Sequence, residues 1–214
     1  MDGGQGVKIA KGRFEAFSDG VFAIATTLLV LSFQPPKLTS HSEASMAEAL
    51  VGLWPQYLIY AASFITIGIM WFNHYALFHH AKYVSYGALV ANLLLLMLVA
   101  FLPFPTKLLG AGGLLVSEVF FYSFVLFLIS LCFGVLYYVA TLRSDERGSV
   151  QGFVRSRTIW NTLGLLGYAV AMVLSLIRPI AGIIVIAAIA TFYMLPSTVR
   201  VALGSGANSN RENP

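Results

Sequence analysis

The sequence predicts an all-α, polytopic membrane protein with six transmembrane helices per subunit and both termini in the cytoplasm. Three observations predict it. Hydrophobic residues make up 58% of the 214-residue chain and charged residues only 10%, against about 25% charged in a typical soluble domain. The apolar residues gather into six runs, each near the ~20 residues that cross ~30 Å of hydrocarbon at ~1.5 Å rise per residue. The basic residues sit between those runs, unequally shared between the two sides.

The first run is Phe14–Phe33, stopped by Pro35-Pro36, with no Pro or Gly between Val21 and Gln34. Lys8, Lys11 and Arg13 ahead of it resemble a secretory signal. The only small-x-small pattern, Ala23-Ile24-Ala25, lies inside the run rather than after it, so the segment reads as a retained helix. The second run, Leu50–Phe72, and the third, Val84–Thr106, carry no charge; the third ends in Leu102-Pro103-Phe104-Pro105-Thr106. The fourth, Leu114–Leu142, has one acid, Glu118, near its start. The fifth is Thr158–Ile177 and the sixth Pro179–Val199. Runs apolar on every face are poor soluble amphipathic helices. Residues 1–13 read as a cytoplasmic N-terminal segment, 14–203 as one six-helix domain, and the Gly/Ser/Asn-rich 204–214 as a disordered tail. Pro36–Ala49 is the only sizeable outer loop.

An even number of spans puts both termini on one side. That side holds Lys8, Lys11, Arg13, Lys82, Arg143, Arg147, Arg155, Arg157, Arg200 and Arg211; the other holds Lys37, Lys107 and Arg178. Ten against three makes the first side cytoplasmic. Trp54 and Tyr57 fit an outer aromatic belt, and Tyr83, Tyr86, Tyr137, Tyr138 and Trp160 an inner one. The net charge of +4 is thus explained by orientation in the bilayer. No basic cluster with interleaved aromatics points to nucleic acid.

One charged motif enters the first apolar helix: Arg13-Phe14-Glu15-Ala16-Phe17-Ser18-Asp19-Gly20. Charged groups at the mouth of a membrane segment are costly to desolvate and mark function or a specific partner. Behind them Ile24, Leu28 and Leu31, spaced by four and three, share one helix face. Plainer readings stand beside these. An Ile/Leu stripe in a membrane helix ordinarily packs against a neighbour or lipid, with Thr26 and Thr27 bonded to their own helix carbonyls. Ser18 or Asp19 could cap a helix starting at Gly20, and Arg13 could be a positive-inside anchor. His74, His79 and His80 lack the i, i+4 spacing of a helical metal pair. Glu118 falls near the outer interface, and Cys132, the single cysteine, permits neither an internal disulfide nor a cysteine-based metal or dithiol site. No cofactor is indicated. Gly-x-Ser-x-Gly, His-Glu-x-x-His and the phosphate-binding Gly-rich pattern are missing, and Asp19 and Glu118 fall near opposite membrane ends, which argues against an enzyme. A secondary transporter is the runner-up, disfavoured by the unbroken first helix and few mid-membrane polar groups.

The string Arg-x-x-x-Phe-Ser-Asp-Gly, with Trp71-Phe72-Asn73-His74 closing the second span and Asn92 and Pro103-Phe104-Pro105-Thr106 in the third, resembles the transmembrane protein 175 family of potassium channels, in its short prokaryotic branch. The resemblance covers roughly Arg13–Thr106. It implies a homotetramer in the cell membrane with first helices around a central pore. It implies potassium conduction without a filter of backbone carbonyls. By that resemblance Ile24 matches the tightest constriction, and Thr27, Leu28 and Leu31 the next pore-facing positions outward. Arg13, Phe17, Ser18 and Asp19 match a hydrogen-bonded cluster shared with Trp71 and His74. Many prokaryotic members have Glu where this chain has Ser32, which removes a possible ring of four carboxylates.

Overall fold

The computed structural model describes residues 11–36, 42–79, 84–111, 113–141 and 149–194, without the side chains of 140–158. Eight α-helices make up the described residues: α1 (Lys11–Leu28), α2 (Glu43–Gly52), α3 (Trp54–His79), α4 (Tyr86–Phe101), α5 (Pro103–Ala111), α6 (Val116–Thr141), α7 (Ser149–Ile177) and α8 (Pro179–Met194). A 3-10 turn, Leu29–Ser32, continues α1.

Five stretches are long and apolar enough to cross a membrane: Lys11–Ser32, Trp54–His79, Tyr86–Ala111, Val116–Val139 and Ile159–Ile177. The sixth expected span is a 16-residue apolar helix over its described part, Pro179–Met194; residues 195–199 lie outside the described residues, as do 1–10 and the tail 204–214.

Local chemistry sets the departures from expectation. The motif is not a helix start. α1 runs unbroken through Ser18, Asp19 and Gly20, so neither Ser18 nor Asp19 is its cap. Ser18 instead donates its hydroxyl to the Phe14 carbonyl 3.0 Å away. α2 crosses from the expected outer loop into the first residues of the expected second run, so that span begins at Trp54 rather than Leu50; the α2 N-cap Ser42 accepts from the Ser45 N–H at 3.2 Å. The third span breaks at Leu102, because Pro103 has no N–H to continue α4 and instead opens α5. Leu114 takes φ 58° between α5 and α6, a left-handed conformation that Leu rarely adopts. One residue on, the Leu115 N–H donates to Glu118 Oε2 at 3.0 Å, so Glu118 closes the first turn of α6.

α1 and α3 run antiparallel. Lys11 Nζ at the start of α1 donates to the His79 carbonyl at the end of α3 at 3.4 Å, and Gln34 N–H donates to Gln56 Oε1 near the start of α3 at 3.2 Å. α6 is the central helix, touching α4, α5, α7 and α8 and burying Val119, Tyr122, Leu126, Ile129, Phe133 and Leu136. Hydrocarbon gives helices no water-exclusion force between them, so close contact and hydrogen bonds must hold them. The small residues show where contact is closest. A Cβ on Gly182 of α8 would come within 2.9 Å of the Ala171 carbonyl oxygen of α7.

Candidate functional site: the two faces of the first helix

α1 presents two unlike faces. Phe14, Ser18, Phe22, Ala25 and Leu29, spaced by four, four, three and four, are buried against α3, α4 and α5. Among the described residues, the other face stays open: Phe17 is 58% exposed, Ile24 60%, Leu28 40% and Leu31 65%. Arg13, Asp19 and Thr27 are exposed as well.

A hydrogen-bonded relay fixes the buried face. Asn92 of α4 donates its amide Nδ2 to Ser18 Oγ at 3.0 Å, and its Oδ1 lies 2.8 Å from His74 Nε2. All three residues are buried. The His74 ring is packed by aromatic rings from two helices, with centroids at 6.1 Å to Phe14, 5.4 Å to Phe22 and 4.8 Å to Phe78. Phe14 and Phe22 each stand four residues from Ser18 on α1, so one helix stripe supplies two rings and the hydroxyl between them.

A second tie lies at the border of the exposed face. Trp71 Nε1–H donates to Asp19 Oδ1 at 2.8 Å. Ser18 and Asp19, adjacent in sequence, thus reach Asn92 on α4 and Trp71 on α3. In the sequence Asn92 is only a landmark of the third span. The signal that finds it is a single amide in an otherwise uncharged span, where an unpaired polar group is costly.

Of the sequence-predicted residues, the structure joins Ser18 and His74 through Asn92, and Asp19 to Trp71 directly. Arg13 and Phe17 lie exposed on α1 outside this relay. Thr26 and Thr27 both bond back into their own helix, to the carbonyls of Phe22 at 2.7 Å and Ile24 at 2.9 Å. The His79 ring lies tilted against Tyr75, centroids 5.6 Å apart, and His80 lies outside the described residues. Cys132 is half-buried in α6.

Comparison with known proteins matches this arrangement to one family. The model of the endosomal/lysosomal potassium channel TMEM175 matches residues 13–103, which contain the whole relay. A potassium channel of Streptomyces collinus is 37% identical over 175 residues, 78% of this chain and 82% of that protein. The endosomal/lysosomal proton channel TMEM175 of Mus musculus is 39% identical over 101 residues, 44% of this chain and 20% of that protein. The crystal structure of a lysosomal potassium-selective channel TMEM175 homolog from Chamaesiphon minutus superimposes with a TM-score of 0.76 at 34% identity, over 86% of this chain and 95% of that one. The chain therefore belongs to the TMEM175 family, whose members are ion channels and not enzymes.

Proposed function

We propose that this protein is a subunit of a potassium-selective cation channel, a homotetramer in a prokaryotic cell membrane with both termini cytoplasmic. The first helices surround a central pore, and Ile24, Leu28 and Leu31 form stacked apolar rings across it. The observation that carries this reading is the open face of α1. The relay through Ser18, Asn92 and His74 orients the helix, and that orientation leaves the three side chains uncovered by their own subunit.

Fourfold repetition turns each such residue into a ring. Rings of Ile and Leu make a narrow, dry passage that can close by dewetting. They offer an ion nothing in place of its lost water. A cation that holds its water less tightly crosses more easily, which favours K⁺ over Na⁺, by less than a carbonyl filter would. Thr27 gives its proton to the Ile24 carbonyl, so its oxygen keeps lone pairs for a partly hydrated cation.

The test is passive flux from liposomes holding the purified protein, under K⁺, Na⁺ and proton gradients in turn, with Ile24→Asn alongside. K⁺ flux above Na⁺ flux, altered by the Ile24 change, is the expected result. Flux that saturates and depends on a coupled solute would identify a transporter instead. Proton flux without K⁺ flux would overturn the potassium assignment.

A further inference from the structure

On the face of α3 that carries Thr66 and Met70, α3, α6, α7 and α8 surround a partly enclosed cavity of about 60 Å³. One water needs roughly 10–15 Å³ of such space, so the cavity has room for about five. Each helix lends one face. Thr66, Met70 and Asn73 line it from α3 at spacings of four and three, and Asn161, Gly164 and Tyr168 line it from α7 at three and four. Gly164 lets Tyr193 come close there: an added Cβ would lie 2.7 Å from the Tyr193 hydroxyl, which would have to shift.

Two features define what would fit. Among the described residues lining the cavity none is acidic or basic; the wall is aliphatic and aromatic with scattered hydroxyls and amides. Most of those polar groups are already engaged. Thr66 donates to the Ala62 carbonyl at 2.8 Å, Asn161 Nδ2 donates to the Ser130 carbonyl at 3.1 Å, and the Tyr193 hydroxyl donates to the Trp160 carbonyl. Tyr168 is the exception. It is 8% exposed, and among the described residues its hydroxyl has no hydrogen-bond partner. A buried hydroxyl left unpaired is costly and calls for a partner in the adjoining space.

We infer that this cavity is a binding site for a small uncharged amphiphile of the phenol or short-chain alcohol class, its hydroxyl paired with Tyr168 and its apolar body against Met70, Ile129 and Phe133. With no charged group in the wall a bound ion would lie unneutralised among mostly apolar side chains, and the volume excludes lipid tails. α3 is the shared wall. Met70 and Asn73 face the cavity, while Trp71 and His74 of the same turns hold Asp19 and, through Asn92, Ser18. Occupancy therefore bears on the helix that orients α1 and alters conduction; this second step rests on the channel reading above.

The experiment is a fluorine NMR titration of 4-fluorophenol against the purified full-length protein in detergent, with protein-free micelles as the blank. Saturable binding is expected in the native chain. It should be about tenfold weaker in Tyr168→Phe, which deletes one oxygen, and lost in Ala190→Leu, which fills the cavity. Both variants are checked for native elution by size exclusion; if Ala190→Leu fails to fold, Tyr168→Phe decides alone. A signal no different from micelles means the cavity holds water only and overturns the site, as does binding unchanged in Tyr168→Phe. Liposome flux with and without phenol then tests the coupling. Phenol should change K⁺ flux in the native protein, and binding without that change overturns the coupling to α1. A protein that binds fluorophenol but conducts nothing would sink the channel reading and leave the site standing.

Discussion

His74 and Asn92 meet with Nε2 and Oδ1 2.8 Å apart in the buried interior. An amide oxygen only accepts, so His74 must carry its proton on Nε2. The rest of the relay then has one consistent direction. Asn92 Nδ2 donates to Ser18 Oγ, and the Ser18 hydroxyl donates to the Phe14 carbonyl.

Asn92→Leu removes the middle of that relay and leaves the His74 N–H without its acceptor. Such a group costs about 1–3 kcal/mol, while hydrogen bonds inside membrane proteins average about 0.6 and reach about 1.7 kcal/mol. The expected loss is therefore about 1–2 kcal/mol, read from unfolding in detergent. Adding Ser18→Ala should cost little more, because the bond it would break is already gone. A second loss as large as the first would show that the relay does not act as a unit.

The Asp19–Trp71 bond predicts a graded series. Asp19→Asn keeps a carbonyl oxygen for the indole N–H, whereas Asp19→Ala keeps nothing. Both partners are exposed within the single chain. The alanine change should therefore lower stability by about 1 kcal/mol and the asparagine change by less than half of that. Trp71→Phe should match the alanine variant. Unfolding midpoints and light scattering on each variant measure stability and assembly together, and equal losses for Asn and Ala would contradict the hydrogen-bond account.

Glycines of α7 and α8 should differ sharply in tolerance. At Gly182 an added methyl meets the Ala171 carbonyl oxygen at 2.9 Å, Ser175 Cβ at 3.0 Å and Val119 Cγ1 at 3.0 Å. Backbone cannot step aside, so Gly182→Ala should cost about 1–3 kcal/mol. At Gly167 the obstacle is the tip of Ile189, with Cδ1 at 2.7 Å. That side chain can change rotamer, so Gly167→Ala should cost less than half as much. Thermal unfolding of the two variants side by side gives the order.

Thr27→Val separates helix stability from conduction. The Thr27 hydroxyl bonds only its own turn, at Ile24, and the residue is exposed. Its isosteric replacement should change stability by less than about 0.5 kcal/mol. If the hydroxyl oxygen meets permeating ions, K⁺ flux falls severalfold with assembly intact. Unchanged flux would remove Thr27 from the ion path.

How much was legible in the sequence follows from what each signal measures. Apolar run length located the five stretches long enough to cross a membrane, because crossing hydrocarbon demands it. It could not place their ends. Pro103 splits the third span into α4 and α5, and Ser42 starts a helix inside a segment rich in polar residues that reads as loop. Family resemblance brought Ser18, Asp19, Trp71 and His74 together, and the three bonds they make, two of them to Asn92, could not be drawn from spacing alone, since they join three helices. Local capping logic failed at Ser18 because α1 had already begun at Lys11. Tyr168 carried no signal at all. A tyrosine in an apolar helix reads as packing until its neighbours are known.

The last turn of the first helix is wound differently from the rest. From Leu29 to Ser32 it is a 3-10 turn, with about 3.0 residues per turn in place of about 3.6. Each residue there advances about 120° around the axis instead of about 100°. The tighter winding brings Leu31 into line above Leu28, whereas a regular α-helix would set the two about 60° apart. Four residues thus work like a change of thread on a screw. Rewinding them would swing Leu31 sideways by about one-sixth of a revolution, while the relay below keeps Ile24 where it stands.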